Sequence, residues 1–313
     1  MIEIHSLRID YEGVTAVCDL DLKVCPGQVY GLVGPNGAGK TSTLKALAGI
    51  IEPTYGEIIL GGYDLELYPQ NALRSLGFMP DFPAVYENLK VWEYLYVFAT
   101  AYLIPKTERI TRCRNWVERV NLQAKWDAYI NTLSRGMRQR LVLAKTLLHN
   151  PTIVLLDEPA SGLDPISRLE MRNILKGIAV EGKSIIISSH ILTELSELCN
   201  AIGVMEKGRL VVSGTIEEIR RTIGIKGEFV MTFADLSEEQ KNTLLAYLNQ
   251  HTLVSNISFS STGQLHFNLS GNKNDAAALI RDLVYRNIPI AQFVMKEANM
   301  EDIFFKIGAR ETS

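Results

Sequence analysis

The stretch that decides the fold is GPNGAGKT, residues 34–41. It satisfies the pattern G-x-x-x-x-G-K-[ST], in which glycines let the backbone turn tightly so that successive N–H groups face phosphate oxygens. A helix that starts near Lys40 would present its positive N-terminal end to the same anion. In this pattern the lysine reaches the β- and γ-phosphates, and the hydroxyl of Thr41 binds Mg²⁺. The sequence therefore predicts a phosphate-binding turn.

Apolar runs around this turn predict the strands of a sheet. Residues 28–33 precede the turn as a buried strand, residues 153–156 end at Asp157, and residues 185–187 lead to His190. Buried strands separated by helical stretches favour a parallel sheet covered on both faces. Because a strand precedes the turn and a helix follows it, a chance match of a glycine-rich turn is the weaker interpretation.

Two acids follow the strand at 153–156. Asp157 stands at its end, where a carboxylate can bind Mg²⁺. Glu158 comes next and can orient and deprotonate an attacking water. Many strands end in solvated carboxylates, so this pair is informative only downstream of a phosphate-binding turn. Together these features predict a nucleoside-triphosphate hydrolase.

Size and composition exclude several other classes. The chain has 313 residues, a length that suits two globular domains. Its formal net charge is −3, so there is no excess of basic residues of the kind that binds nucleic acid. Its four scattered cysteines are expected to be reduced thiols. We expect no secretory signal at residues 1–10. The apolar stretch 91–104 contains Glu93 and is too short to span a bilayer, so we expect a buried or partner-facing helix there.

The pattern divides into two predicted domains. The first is residues 1–222 and includes a helical insertion at about 81–150; the second is residues 228–313. In the second, the order βαββαβ resembles a small ferredoxin-like module, and Ser237 with Gln240 fits a capping box. Its predicted strands are 228–233, 253–259, 264–269 and 289–295, and its predicted helices are 237–250, 275–286 and an amphipathic 299–307.

Other segments name a family. LSRGMRQRL, residues 133–141, resembles the signature of ABC ATPases, usually LSGGQ followed by a basic helix. SGLD, residues 161–164, is similar to the D-loop of that family, and His190 in SSHIL matches its switch histidine. Tyr11 precedes the phosphate-binding turn in the manner of the aromatic residue that stacks on adenine. Alone, Tyr11 would be read as a packing residue and His190 as an ordinary surface or core group. The resemblance rests on the order and spacing of the whole set of motifs, which covers about the first 220 residues.

The resemblance implies a fold and a set of site residues. The expected fold is α/β: a P-loop NTPase (ABC ATPase) core with an antiparallel β subdomain and a helical subdomain, followed by the α+β ferredoxin-like domain. ATP and Mg²⁺ are the expected cofactors. The implied catalytic residues are Lys40, Glu158 and His190. The implied nucleotide-binding residues are Tyr11, Gly34, Asn36, Gly37, Ala38, Gly39, Lys40, Thr41, Ser42, Ser134 and Gly136. The implied metal ligands are Thr41, Asp157 and Asp81.

In the family, cassettes work as head-to-tail pairs, and the resemblance places Ser134 and Gly136 over the ATP of a second subunit. Three residues depart from the family pattern. Arg135 replaces a glycine and Met137 a glutamine of the signature. Asp81 stands where the family usually has a glutamine that touches the water shell of the metal and the membrane partner. The alternative is that Asp81 is a solvated turn residue.

The resemblance favours one kind of ABC protein. With one cassette in the chain, a second ATPase subunit is expected, either a second copy of this chain, which is favoured, or a close relative. A separate transmembrane permease is expected as well, and the chain itself is expected to bind peripherally at the cytoplasmic face of the cell membrane. The extra C-terminal module favours an exporter, and import stays open. A soluble ABC ATPase of translation or DNA repair usually has two cassettes, a long coiled coil or a basic arm. A non-hydrolysing regulator would not need Lys40, Asp157, Glu158 and His190 together.

Overall fold

The computed structural model describes residues 1–191, 195, 198–215, 218–219, 227–270 and 273–296. The chain divides into two compact units, Met1–Ile219 and Arg220–Ser313. The predicted helix at 299–307 lies outside the described residues. Among the residues that are described, no helix combines the length and the apolarity that crossing a membrane requires.

A mixed sheet forms the centre of the first unit. Its strands are β3 (Val29–Val33), β6 (Leu76–Met79), β7 (Ile153–Asp157), β8 (Ser184–Ser189), β9 (Ala201–Glu206) and β10 (Arg209–Thr215). They lie in the order β10-β9-β3-β8-β7-β6, and all neighbours are parallel except β9 and β10. β3, β7 and β8 are buried along their whole length, as their continuous apolar sequence predicts.

A second, antiparallel sheet covers part of this unit. It consists of β1 (Ile2–Tyr11), β2 (Val14–Val24), β4 (Tyr55–Leu60) and β5 (Tyr63–Asp64), in the order β2-β1-β4-β5. In β2, Leu20, Leu22 and Val24 are buried while Asp21 and Lys23 are exposed, so this strand has one buried and one solvated face. The buried side chains of both sheets join one hydrophobic core.

The described residues of the first unit form α-helices, the first of which begins at Lys40 as predicted. They are α1 (Lys40–Leu47), α2 (Pro69–Arg74), α3 (Val91–Ala101), α4 (Lys106–Arg119), α5 (Arg135–Leu147) and α6 (Pro165–Ala179). The helix-rich insertion predicted at 81–150 is α3, α4 and α5. α3 buries Val91, Tyr94, Leu95 and Ala99 and leaves Val97 exposed. α3 is therefore buried along one side, whereas the sequence predicts a helix that is largely buried or faces a partner; contact with a partner stays a prediction.

The second unit has its own sheet and core. Its elements are β11 (Gly227–Phe233), α7 (Glu238–Gln250), β12 (Val254–Phe259), β13 (Leu265–Leu269), α8 (Lys273–Tyr285) and β14 (Ile290–Lys296). The strands lie in the order β12-β13-β11-β14 and all neighbours are antiparallel. Phe229, Met231, Phe267 and Leu279 lie in a core formed from both helices and the sheet. The predicted βαββαβ order of elements is present, with α8 starting two residues earlier than expected.

Candidate functional site

The turn GPNGAGKT connects β3 to α1, and its glycines serve two physical purposes. Gly37 and Gly39 have φ of 84° and 103°, a region that residues with a side chain rarely adopt. Gly34 is required for a different reason, because a Cβ there would collide with the carbonyl oxygen of Met205 in β9. The turn therefore needs glycine for its curvature at two positions and for close approach at the third.

Lys40 lies in the concave side of this turn. Its ammonium group donates to the carbonyl oxygens of Gly34 and Pro35, at 2.7 and 3.1 Å, and lies 3.9 Å from a carboxylate oxygen of Glu158. Burial lowers the pKa of Lys40, while the charges of Glu158 and Asp157 act in the opposite direction. The turn thus positions a buried cation where phosphate oxygens would meet it.

A hydrogen-bonded group of oxygens joins the turn to the ends of β7 and β8. Asp157 Oδ1 accepts from the hydroxyls of Thr41 at 3.2 Å and Ser188 at 2.6 Å. Ser188 also accepts from the backbone N–H of Glu158 at 2.9 Å. Hydroxyl and carboxylate oxygens are ligands that Mg²⁺ prefers, so this group fits the predicted metal position. The sequence alone does not single out Ser188, because its contact depends on its pairing with Asp157 across the sheet.

Glu158 and His190 form a pair beside this group. The Nδ1 atom of His190 lies 2.8 Å from Oε2 of Glu158. Burial raises the pKa of Glu158, and the hydrogen bond and charge of His190 counteract this. The φ of Glu158 is +48°, an uncommon conformation for a residue with a side chain and one often found at functional sites. The carboxylate is thus held by a strained turn and oriented by a histidine.

These groups face a cavity of about 500 Å³, a size typical of ligand sites. Of the predicted site residues, those that line it are Asn36, Gly37, Ala38, Gly39, Lys40, Thr41, Ser42, Asp81, Glu158 and His190. Val14, Thr15 and Ala16 of β2 also contribute to the wall, which the sequence does not indicate. Most of the predicted set therefore converges on one space, although the residues come from distant parts of the chain.

Asp81 occupies an unusual position in this wall. Its Oδ1 atom is buried and has no hydrogen-bond partner among the described residues. Burial and the charge of Asp157 raise its pKa, while Arg135 and His190 lower it. Its backbone carbonyl accepts from Gln139 Nε2 at 3.4 Å. Asp81 therefore lies in the cavity wall with other predicted site residues, and its predicted role at the metal stays a prediction.

The remaining predicted residues lie outside the cavity wall. Tyr11 is 48% exposed and donates to Ser42 Oγ at 3.3 Å, beside the start of α1. Ser134 is exposed and caps α5 by accepting from the N–H of Met137 at 3.3 Å. Gly136 is buried, and a Cβ there would be 2.6 Å from Cβ of Ser167 in α6. Gly136 thus has a packing role within its own subunit, and the predicted contact with a second subunit's nucleotide stays a prediction.

A phosphate-binding turn, a buried acid pair and parallel strands together define the class of P-loop nucleoside triphosphatases. Comparison with known proteins narrows this class. Residues 17–161 match the family described as ABC transporter. The Nod factor export ATP-binding protein I of Cupriavidus metallidurans is 30% identical over 99% of this chain and 98% of its own length. The bacitracin transport ATP-binding protein BcrA of Bacillus licheniformis is 32% identical over 98% of this chain and 97% of its own length.

A solved structure described as an ATP-binding subunit of an ABC transporter agrees with this match. It has a TM-score of 0.66 and 29% identity, and it covers 72% of this chain and 94% of its own. The chain belongs to the family of ABC transporter ATP-binding proteins and is an ABC ATPase. The resemblance seen in the signature, the D-loop and the switch histidine is therefore confirmed at the level of the family.

Proposed function

We propose that this chain powers export through a separate membrane protein, by ATP-driven closure of a cassette pair. The observation that carries the proposal is the convergence of Lys40, Thr41, Glu158 and His190 on one cavity, with Asp157 hydrogen-bonded to Thr41 at its edge. Both relatives named above match over nearly their whole length, and their names specify export of Nod factor and transport of bacitracin. Export is inferred for this chain from those names and from the shared second unit.

In the proposed mechanism, the turn and Lys40 bind the β- and γ-phosphates of ATP. Bound Mg²⁺, held by Thr41 and Asp157 with Asp81 close to its water shell, would neutralise charge on the phosphate oxygens. Glu158 orients the attacking water and accepts its proton, because its carboxylate faces the cavity within a fixed turn. His190 holds that carboxylate through its Nδ1 atom and would also contact the γ-phosphate of bound ATP.

Each subunit supplies only part of the proposed site. Ser134 and Gly136 would close over ATP bound to a second copy of this chain, with the helix start of α5 directed at the γ-phosphate. ATP binding then closes the pair and hydrolysis releases it. The pair would lie at the cytoplasmic face of the membrane and pass this motion to a separate transmembrane permease. We assign residues 1–222 to the cassette and residues 228–313 to an accessory domain of ferredoxin-like topology, because its sheet has the order β12-β13-β11-β14.

The alternative of a soluble ABC ATPase of translation or DNA repair has less support. Both relatives named above match over nearly the whole chain, including the second unit, and are named as export or transport proteins. A non-hydrolysing regulator is disfavoured because the acid, the histidine and the lysine are all present and in contact. Co-purification of the chain with a detergent-solubilised membrane protein would distinguish a transporter subunit from both alternatives.

Replacing Glu158 with glutamine tests the catalytic assignment. The variant Glu158→Gln keeps the shape of the side chain and removes the base, so we expect ATP binding to persist and kcat to fall at least about 100-fold. It should accumulate as a closed dimer with ATP, which size-exclusion chromatography would detect. Lys40→Ala is the matched comparison, since it removes the cation and should weaken ATP binding itself. Normal turnover by Glu158→Gln would refute the assignment.

A further inference from the structure

The first residue of α5 makes a contact that its neighbours in sequence do not indicate. Arg135 stands in place of a signature glycine, and its Nη2 atom donates to the carbonyl oxygen of Ser161 at 3.0 Å. A Cβ on Gly162 would lie 2.5 Å from the central guanidinium carbon and 2.6 Å from both terminal nitrogens. The planar guanidinium therefore lies directly against the backbone of Ser161 and Gly162, where the segment SGLD begins.

This contact is made at the far end of the turn that carries Glu158. The N–H of Ser161 donates to the carbonyl oxygen of Glu158 at 3.0 Å, which closes the turn 158–161. Ser161 also lines the same cavity as Glu158 and His190. Because the φ of Glu158 is +48°, this turn needs external contacts to hold it in its conformation. Arg135 supplies such a contact from a neighbouring helix.

The position of Arg135 on α5 argues against a role in stabilising that helix. A cation in the first turn of a helix is unfavourable, because the N-terminal end of the helix is itself positive. One helical turn further, Gln139 of the same helix donates to the carbonyl oxygen of Asp81 at 3.4 Å. Gly136, between them, allows α5 to pack closely on Ser167 of α6. α5 thus connects the loop of Asp81 to the turn of Glu158 within one subunit.

We propose that Arg135 is a positioning residue that holds the turn 158–161, and through it the carboxylate of Glu158, in the geometry needed for hydrolysis. This rests on the proposed role of Glu158 as the catalytic base. In this proposal Arg135 acts within its own subunit, whereas its neighbours Ser134 and Gly136 are expected to contact the nucleotide of a second subunit. The guanidinium is suited to this because a planar group with several donors can lie against a backbone, whereas a glycine provides no contact.

Steady-state kinetics of Arg135→Ala test the proposal. We expect kcat to fall about tenfold, since a small displacement of a catalytic group costs about that much or more. KM for ATP should stay within about twofold, because nucleotide-binding groups are untouched. Arg112→Ala removes a solvent-accessible arginine from α4, where it pairs with Glu108, and should leave both constants unchanged. A raised KM with unchanged kcat would overturn the proposal and place Arg135 on the nucleotide of a second subunit.

The same substitution in a Glu158→Gln background shows whether Arg135 acts through Glu158. With the base removed, Arg135→Ala should cause no further loss in the single-turnover rate. An equal loss in both backgrounds would overturn the proposal, because Arg135 would then act on another group. Failure of the proposed function has a separate signature, namely normal turnover by Glu158→Gln alone. Arg135→Lys, which keeps the charge and a donor group but loses the planar guanidinium, should recover part of the lost kcat.

Discussion

Asp81 has three properties that bear on its role. It lines the cavity, its Oδ1 atom is buried without a partner among the described residues, and Asp157 is close enough to raise its pKa. A buried oxygen of this kind costs free energy unless a ligand or water satisfies it. The water shell of Mg²⁺, where the sequence predicts Asp81 to act, would supply such a partner.

Kinetics of Asp81 variants at varied Mg²⁺ concentration test this role. Asp81→Ala should lower turnover about tenfold and raise the Mg²⁺ concentration needed for half-maximal activity, as is typical of groups that orient a metal's ligands. Asp81→Gln, which restores the residue usual in the family, should largely preserve both quantities. Equal and near-normal kinetics in the wild type and both variants would instead support the solvated turn.

For single residues, the sequence predicts those contacts that join residues close together in the chain. Lys40 and Thr41 follow directly from the phosphate-binding turn, and Glu158 follows the strand end at Asp157. Ser188 is not predictable in this way, because its hydrogen bond to Asp157 requires the register of β7 against β8, which is a pairing across 31 positions. The contact of Arg135 with Ser161 escapes prediction for a related reason, since it depends on how α5 packs against α6.

Secondary structure elements are likewise predictable where a local sequence pattern defines them, and less so where distant residues do. The sequence predicts the start of α7 correctly because a capping box is a local pattern. Ser237 Oγ accepts from the N–H of Gln240 at 3.2 Å, and Gln240 Oε1 accepts from the N–H of Ser237 at 3.1 Å. Each residue thus satisfies the backbone N–H of the other, and the helix start needs no distant residue for these two bonds.

Removing this cap should destabilise the second unit by a predictable amount. Ser237→Ala takes away the acceptor for the Gln240 N–H, so we expect the free energy of unfolding to fall by about 1 kcal/mol. Denaturant unfolding, followed by a probe in the second unit, measures this. Ser258→Ala, an exposed serine in β12, is the control and should change stability by less than about 0.5 kcal/mol. Equal effects of the two substitutions would show that the cap contributes nothing.

Several strands are not evident from the sequence, and β9 with β10 is the instructive case. The two strands form a hairpin joined by Lys207 and Gly208, which have φ of 48° and 80°. Positive φ at both central residues is typical of a type I′ turn, and a short polar residue followed by glycine between apolar runs indicates one. Lysine is an unusual choice at the first position. The signal is therefore weaker than an Asn-Gly pair would give.

In the molecule as a whole, the predicted site residues lie in one unit, and the second unit contains none of them. That one unit is Met1–Ile219, and within the described part of the chain each sheet is built from strands of one unit. The hydrophobic cores formed by the described residues likewise draw on one unit each. We therefore expect a chain that ends at residue 226 to fold and to bind ATP with a Kd within about threefold of the full chain, since no binding group is removed. Equilibrium binding of a fluorescent ATP analogue measures this.

The same truncation shows what the second unit adds. A cassette pair held together only by nucleotide separates after hydrolysis, so a contact that does not depend on nucleotide would keep the two copies close between cycles. We expect the second unit to supply it, and the truncated chain should therefore dimerise more weakly than the full chain without ATP. Sedimentation equilibrium of both proteins over a range of concentrations gives the two dissociation constants. Coincident curves would exclude a dimerising role, and the unit would then act in regulation or in the structure of the subunit alone.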